Sequence, residues 1–86
     1  MEDDIRNSLL ELISVKLNRI GIAQREITGR FDLVKSGLLS SLEFVDMITT
    51  LERRFQCEVD YETAFEKGNF TTIDGVISNF KNILHG

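Results

Sequence analysis

Eighty-six residues give one domain with a single core and leave no room for a second. With 42% hydrophobic and 28% charged residues, and no apolar run long enough to cross a bilayer, the composition is that of an ordinary globular protein and excludes a membrane span or a disordered chain. The net charge of -4 is concentrated: residues 1–40 carry six acids and six bases, whereas residues 41–66 carry seven acids against Arg53 and Arg54, a segment that repels nucleic-acid phosphates and attracts basic protein surfaces.

The first residues, Met1-Glu2-Asp3-Asp4, lack the basic region of a signal peptide, so a cytoplasmic protein is expected. Ile5, Leu9, Leu12, Ile13 and Leu17 then recur at spacings of three and four, with Arg6, Glu11, Lys16 and Arg19 between them. This pattern predicts an amphipathic helix over about 3–19.

Residues 20–40 contain Gly21, Gly29 and Gly37 among scattered apolar residues (Ile22, Ile27, Phe31, Leu33, Leu38, Leu39). The stretch is too long for a simple connection between packed helices, and long ordered loops in small domains tend to carry function. A second helix follows over about 41–56, with Val45, Ile48, Leu51 and Phe55 on one side and Glu43, Asp46 and Glu52 on the other.

Cys57, the single cysteine, excludes an internal disulfide and a thiolate cluster for zinc, and reads as a small apolar residue near a helix end. The run from Asp60 to Gly68 reads as a short helix with an acidic cap and a glycine stop. Thr71 or Thr72 caps a last helix over about 72–84, whose apolar face is Ile73, Val76, Ile77, Phe80, Ile83 and Leu84. His85, the single histidine, stands next to the last residue and is poorly placed to act as a base, so a Ser-His-Asp or Cys-His system lacks material. No stretch alternates apolar and polar residues for long, so strands are not expected. The expectation is an all-α four-helix bundle over residues 1–86, with three long helices, one short helix and a long first loop. Its core is expected to be Ile5, Leu9, Leu12, Ile13, Val45, Ile48, Leu51, Phe55, Ile73, Val76, Ile77 and Phe80.

At the start of the second helix, Ser40-Ser41-Leu42-Glu43 matches the capping box. Ser40 would accept from the amide of Glu43 while the Glu43 carboxylate accepts from the amide of Ser40, a cap worth roughly 1 kcal/mol against alanine. Ser41 is not needed for that role. It falls at the first helical position, where its hydroxyl projects into solvent near free amides, a favourable field for a phosphate.

The run Asp32-Leu33 … Ser36-Gly37-Leu38-Leu39-Ser40-Ser41-Leu42-Glu43-Phe44-Val45, the acidic helix to Phe55 and the later Phe70-Thr71-Thr72-Ile73 together resemble the acyl carrier protein family, whose members include acyl, D-alanyl and peptidyl carriers. The resemblance covers nearly the whole chain. It implies a bundle of three long helices and one short one that is not itself an enzyme, carrying covalent 4'-phosphopantetheine from coenzyme A on the serine that opens the second helix. That serine maps to Ser41, followed by Leu42 as the family motif requires. Ser40 replaces the usual aspartate, a near-equal N-cap that lacks its negative charge, and is itself the alternative attachment site. The resemblance further implies a phosphopantetheinyl transferase as partner, together with loading and condensing enzymes of fatty acid, polyketide, nonribosomal peptide or cell-wall synthesis. Leu42, Val45 and Met47 would give apolar contact, and Glu43, Asp46 and Glu52 would meet basic docking surfaces. Arg53 and Arg54 depart from the acidic helix of fatty-acid carriers and favour a dedicated pathway carrier. A monomer is expected.

Other classes compete for the same residues. Asp32, Ser36, Gly37 and Glu43 fall at positions of a calcium-binding EF-hand loop, but Val34 brings no side-chain oxygen where the third position needs one. A helical adaptor without a prosthetic group would use the same acidic second helix. A helix-turn-helix DNA reader would need a basic recognition helix, and neither the second nor the last helix supplies it.

Overall fold

A computed structural model describes residues 2–85, the side chain of Gln24 excepted; Met1 and Gly86 lie outside the described residues. Four helices are formed: α1 (Glu2–Ile20), α2 (Ser41–Phe55), α3 (Tyr61–Glu66) and α4 (Ile73–His85), with a 3-10 turn at Gln24–Glu26. The fold is an all-α four-helix bundle in which α1 packs on both α2 and α4.

Helix α1 starts with Glu2, Asp3 and Asp4 at the positive end of its dipole and carries Arg19 in its last turn. Ile5, Leu9, Ile13 and Leu17 form one buried row four residues apart. The helix stops at Gly21, whose φ of 76° allows the amides of Gly21 and Ile22 to return to the carbonyls of Asn18 and Leu17 at 3.3 and 3.0 Å. This is a Schellman stop, and it turns the chain into the long loop.

That loop is strapped down. The Asp32 carboxylate accepts from the amides of Val34 and Lys35 at 3.0 and 2.7 Å and from the Thr71 hydroxyl at 2.8 Å. Beside it, the Leu33 amide donates to the Thr71 carbonyl and the Ile73 amide donates to Phe31, at 2.8 and 3.1 Å. An isolated antiparallel bridge between Asp32 and Thr72 is the result. Leu33, Leu38 and Leu39 are buried, so the loop contributes to the core and delivers the chain in a fixed position to the start of α2.

The register of α2 differs from expectation. Phe44, Met47, Ile48 and Leu51 face the core, while Val45, expected inside, is 37% exposed, and Leu12 and Phe55 are only partly buried. The cause is an aromatic cluster: Phe44 meets Phe70 edge-on at 5.3 Å and Phe65 at 6.4 Å, and Tyr61 closes the group from α3. Turning Phe44 inward buries more apolar surface than turning Val45 inward. At the other end Gln56 takes a left-handed conformation, and the amide of Cys57 returns to the Glu52 carbonyl at 3.1 Å. Helix α3 is capped by Asp60, whose carboxylate accepts from the amide and hydroxyl of Thr63 at 3.3 and 2.8 Å. Of the two threonines before α4, Thr72 caps it, accepting from the Gly75 amide at 2.9 Å, while Thr71 holds Asp32.

Candidate functional site

The start of α2 is built by the sequence immediately around it. Leu38 and Leu39 are each 6% exposed and anchor the approach; Ser40 then adopts an extended backbone, with φ -71° and ψ 167°, and leaves the core for the surface. Both capping-box bonds form. The Glu43 amide donates to Ser40 Oγ at 3.1 Å, and the Ser40 amide donates to Glu43 Oε1 at 2.9 Å. Ser40 Oγ is therefore committed to the helix.

Ser41 is the next residue, exposed like Ser40 but free of the capping role. It occupies the first turn of α2, and its hydroxyl makes no hydrogen bond among the described residues. Leu42 beside it is 72% exposed. The arrangement offers a free hydroxyl on a rigid turn, flanked by an apolar contact and by backbone amides at the positive end of a helix dipole.

The second oxygen of Glu43 pairs with the ammonium of Lys16, which reaches across from α1. Lys16 first, then the Ser40 amide, hold the Glu43 carboxyl at about 2, against an ordinary value of 4.5. Lys16 belongs to this site, and the sequence pattern gave no sign of it. Its spacing places it on the polar side of α1, but the partner stands 27 residues further along the chain, where only the α1–α2 packing brings it close.

The residues expected to meet partners divide into two groups. Leu42, Val45 and Asp46 are exposed on α2 near Ser41. Met47 is 7% exposed and packs in the core, reaching solvent only at the floor of a groove. Glu52 is half-buried, and its carboxylate accepts from the Val59 amide at 2.8 Å and from the Tyr61 hydroxyl at 3.4 Å, closing the turn between α2 and α3. Glu43 is engaged as described. Asp46 is thus the one α2 carboxylate, among the described residues, without a hydrogen bond or ion pair. Arg54 is turned toward α1, where it meets Glu11 at 3.4 Å.

A groove of about 240 Å³ runs between α1 and α2 beside this turn, floored by Leu12, Ile13, Leu39 and Met47 and rimmed by Lys16, Glu43, Asp46 and Thr50. A larger, open depression of about 480 Å³ lies at the far end of α2, next to Cys57 and Val59. Burial first, and then the charge of Glu52, push the Cys57 thiol above its ordinary value, which disfavours a reactive thiolate there.

The calcium template does not survive the geometry. Both Asp32 oxygens are taken by the chain itself, and Glu43 is held by Lys16 and Ser40. Among the described residues no three His, Cys, Asp or Glu side chains are grouped to hold a metal. Likewise no described helix is long and apolar enough to cross a membrane. No protein-family model matches the sequence, and no solved structure matches the chain.

Proposed function

We propose that this chain is an acyl or aminoacyl carrier protein, converted to its working form by attachment of 4'-phosphopantetheine to Ser41. The observation that carries the proposal is the division of labour in the serine pair: Ser40 spends its hydroxyl on the cap, and Ser41 keeps its own exposed and unpaired among the described residues. The surroundings fit the group. No neighbouring side chain covers Ser41, so a long substituent meets no wall, and the first turn of α2 favours the phosphodiester charge.

In the transfer, Ser41 Oγ attacks the phosphorus of coenzyme A that bears the pantetheine. The new O–P bond forms as the pyrophosphate P–O bond breaks, adenosine 3',5'-bisphosphate leaves, and the hydroxyl proton passes to a base of the transferase. The bound group supplies a terminal thiol that holds an acyl or aminoacyl cargo as a thioester. The chain's own tasks are to present Ser41 on a turn that does not fray and to offer Leu42, Val45 and Asp46 as contact for a transferase and then for loading and condensing enzymes of a fatty acid, polyketide, nonribosomal peptide or cell-wall pathway. A cytoplasmic carrier with its supply of coenzyme A suits this reading.

Intact mass after incubation with coenzyme A, magnesium and a broad-specificity phosphopantetheinyl transferase tests it. The expected result is a gain of one phosphopantetheine, lost in Ser41→Ala and kept in Ser40→Ala. A gain that survives Ser41→Ala and disappears in Ser40→Ala would move the attachment to Ser40. No gain in the folded wild type, with the transferase active on another carrier, would overturn the proposal and favour an unmodified helical adaptor working through the same α2 face.

A further inference from the structure

The carboxylate closest in sequence to Ser41 is not free to meet a partner. Glu43 faces Lys16 from α1, and a basic surface approaching the first turn of α2 encounters a neutralised pair with a partly exposed ammonium beside it. Asp46 is the other charged group that rims the groove with them. The remaining α2 acid, Glu52, is turned to Val59 and Tyr61. The attachment turn therefore presents an apolar face, Leu42 and Val45, with a single free acid, although the local sequence is rich in carboxylates.

We propose that Lys16 is a specificity-determining residue of this site: by masking Glu43 it restricts the chain to partners that dock through Leu42, Val45 and Asp46, and it turns away partners that rely on a basic surface to grip the start of α2. The inference rests on the carrier reading of Ser41. Its physical basis is that specificity is a difference of affinities, and an internal cation at the docking edge lowers attraction for a basic partner while leaving apolar contact unchanged. Lys16 touches neither Ser41 nor its substituent; it acts through Glu43.

Two substitutions separate this role from a structural one. Lys16→Met keeps the apolar stem and removes the charge. Glu43→Gln preserves the capping box, in which glutamine serves as well as glutamate, and removes the partner charge. With a transferase that has a basic docking surface, Lys16→Met should lower KM by about fivefold with kcat little changed, and its KM should become more dependent on salt than that of the wild type. The double variant Lys16→Met/Glu43→Gln should return KM to the wild-type level, which restoration of packing cannot explain. Calorimetric binding of the same transferase to Ser41→Ala chains, with and without Lys16→Met, should show the same gain without any turnover. Independently of loading, the Glu43 side-chain carbonyl followed by NMR should titrate near 2 in the wild type and closer to 4.5 in Lys16→Met.

A wild type that takes no phosphopantetheine overturns the carrier reading and this inference with it. A wild type that loads, alongside a Lys16→Met variant with unchanged or raised KM, overturns this inference alone. So does a Glu43 titration that is the same in both chains.

Discussion

Gly75 lies in α4 against the backbone of the turn that leads into the helix. A Cβ placed there would stand 1.8 Å from the Asn69 carbonyl oxygen and 2.7 Å from its carbon, and neither atom belongs to a side chain that can move aside. Helix propensity alone favours alanine over glycine by about 1 kcal/mol inside a helix. The close approach reverses that order: Gly75→Ala should destabilise the fold by about 1–3 kcal/mol, the cost of forcing extra volume into a packed contact. Urea unfolding measures it, and a more stable Gly75→Ala would show that the helix and the Asn69 turn are further apart. At this scale, what the sequence disclosed was local. The capping box of Ser40 and Glu43 and the Asp60 cap follow from residues three apart, and both are formed. The Lys16 pair and the Asp32 to Thr71 bond join residues that only tertiary packing brings together, and no local pattern announces them.

Helix boundaries were legible to within a residue or two, because caps and apolar periodicity act within one or two turns. The face that α2 turns inward was not. Two overlapping stripes, one through Phe44, Met47, Ile48 and Leu51 and one through Val45, Ile48, Leu51 and Phe55, share Ile48 and Leu51, and periodicity alone does not choose between them. The choice is made by α3 and the segment before α4, which supply Phe65 and Phe70 as partners for the Phe44 ring. A paired substitution tests this register. Phe44, 1% exposed, should lose about 3–5 kcal/mol as Phe44→Ala. Val45→Ala, on the exposed side, should stay within about 0.5 kcal/mol of the wild type. Equal losses, or the reverse order, would return Val45 to the core and withdraw it from the docking face proposed beside Ser41.

Across the whole molecule, two carboxylates tie together parts of the chain that hydrophobic burial alone would leave loosely related, and a third caps a helix. Glu43 joins α1 to the first turn of α2, Asp32 joins the long loop to the start of α4, and Asp60 holds the first turn of α3. Each has its pKa lowered in the folded state. For Glu43 the Lys16 ammonium is the main cause, with the value at about 2. Burial raises the Asp32 carboxyl, but the Lys35 amide, the Thr71 hydroxyl and the Val34 amide outweigh it. Asp60 is lowered by the hydroxyl and amide of Thr63. A carboxyl with a lowered folded pKa binds protons more weakly folded than unfolded. Its contribution to stability is therefore complete above the unfolded value and disappears as pH falls through the folded one. The melting temperature should accordingly hold level down to about pH 5, then fall as the pH drops from 4.5 toward about 2, the interval that Glu43 spans. Glu43→Gln, which keeps the cap without the ionisable group, should melt with a shallower acid slope than the wild type, and so should Asp32→Asn. Circular dichroism melts at a series of pH values read all three chains. A wild type that gains stability on acidification through this interval would mean that these carboxylates are not paired in solution. The masking of Glu43 by Lys16 would then lose its physical basis, while the exposed Ser41 hydroxyl and the mass test on it would stand unaffected.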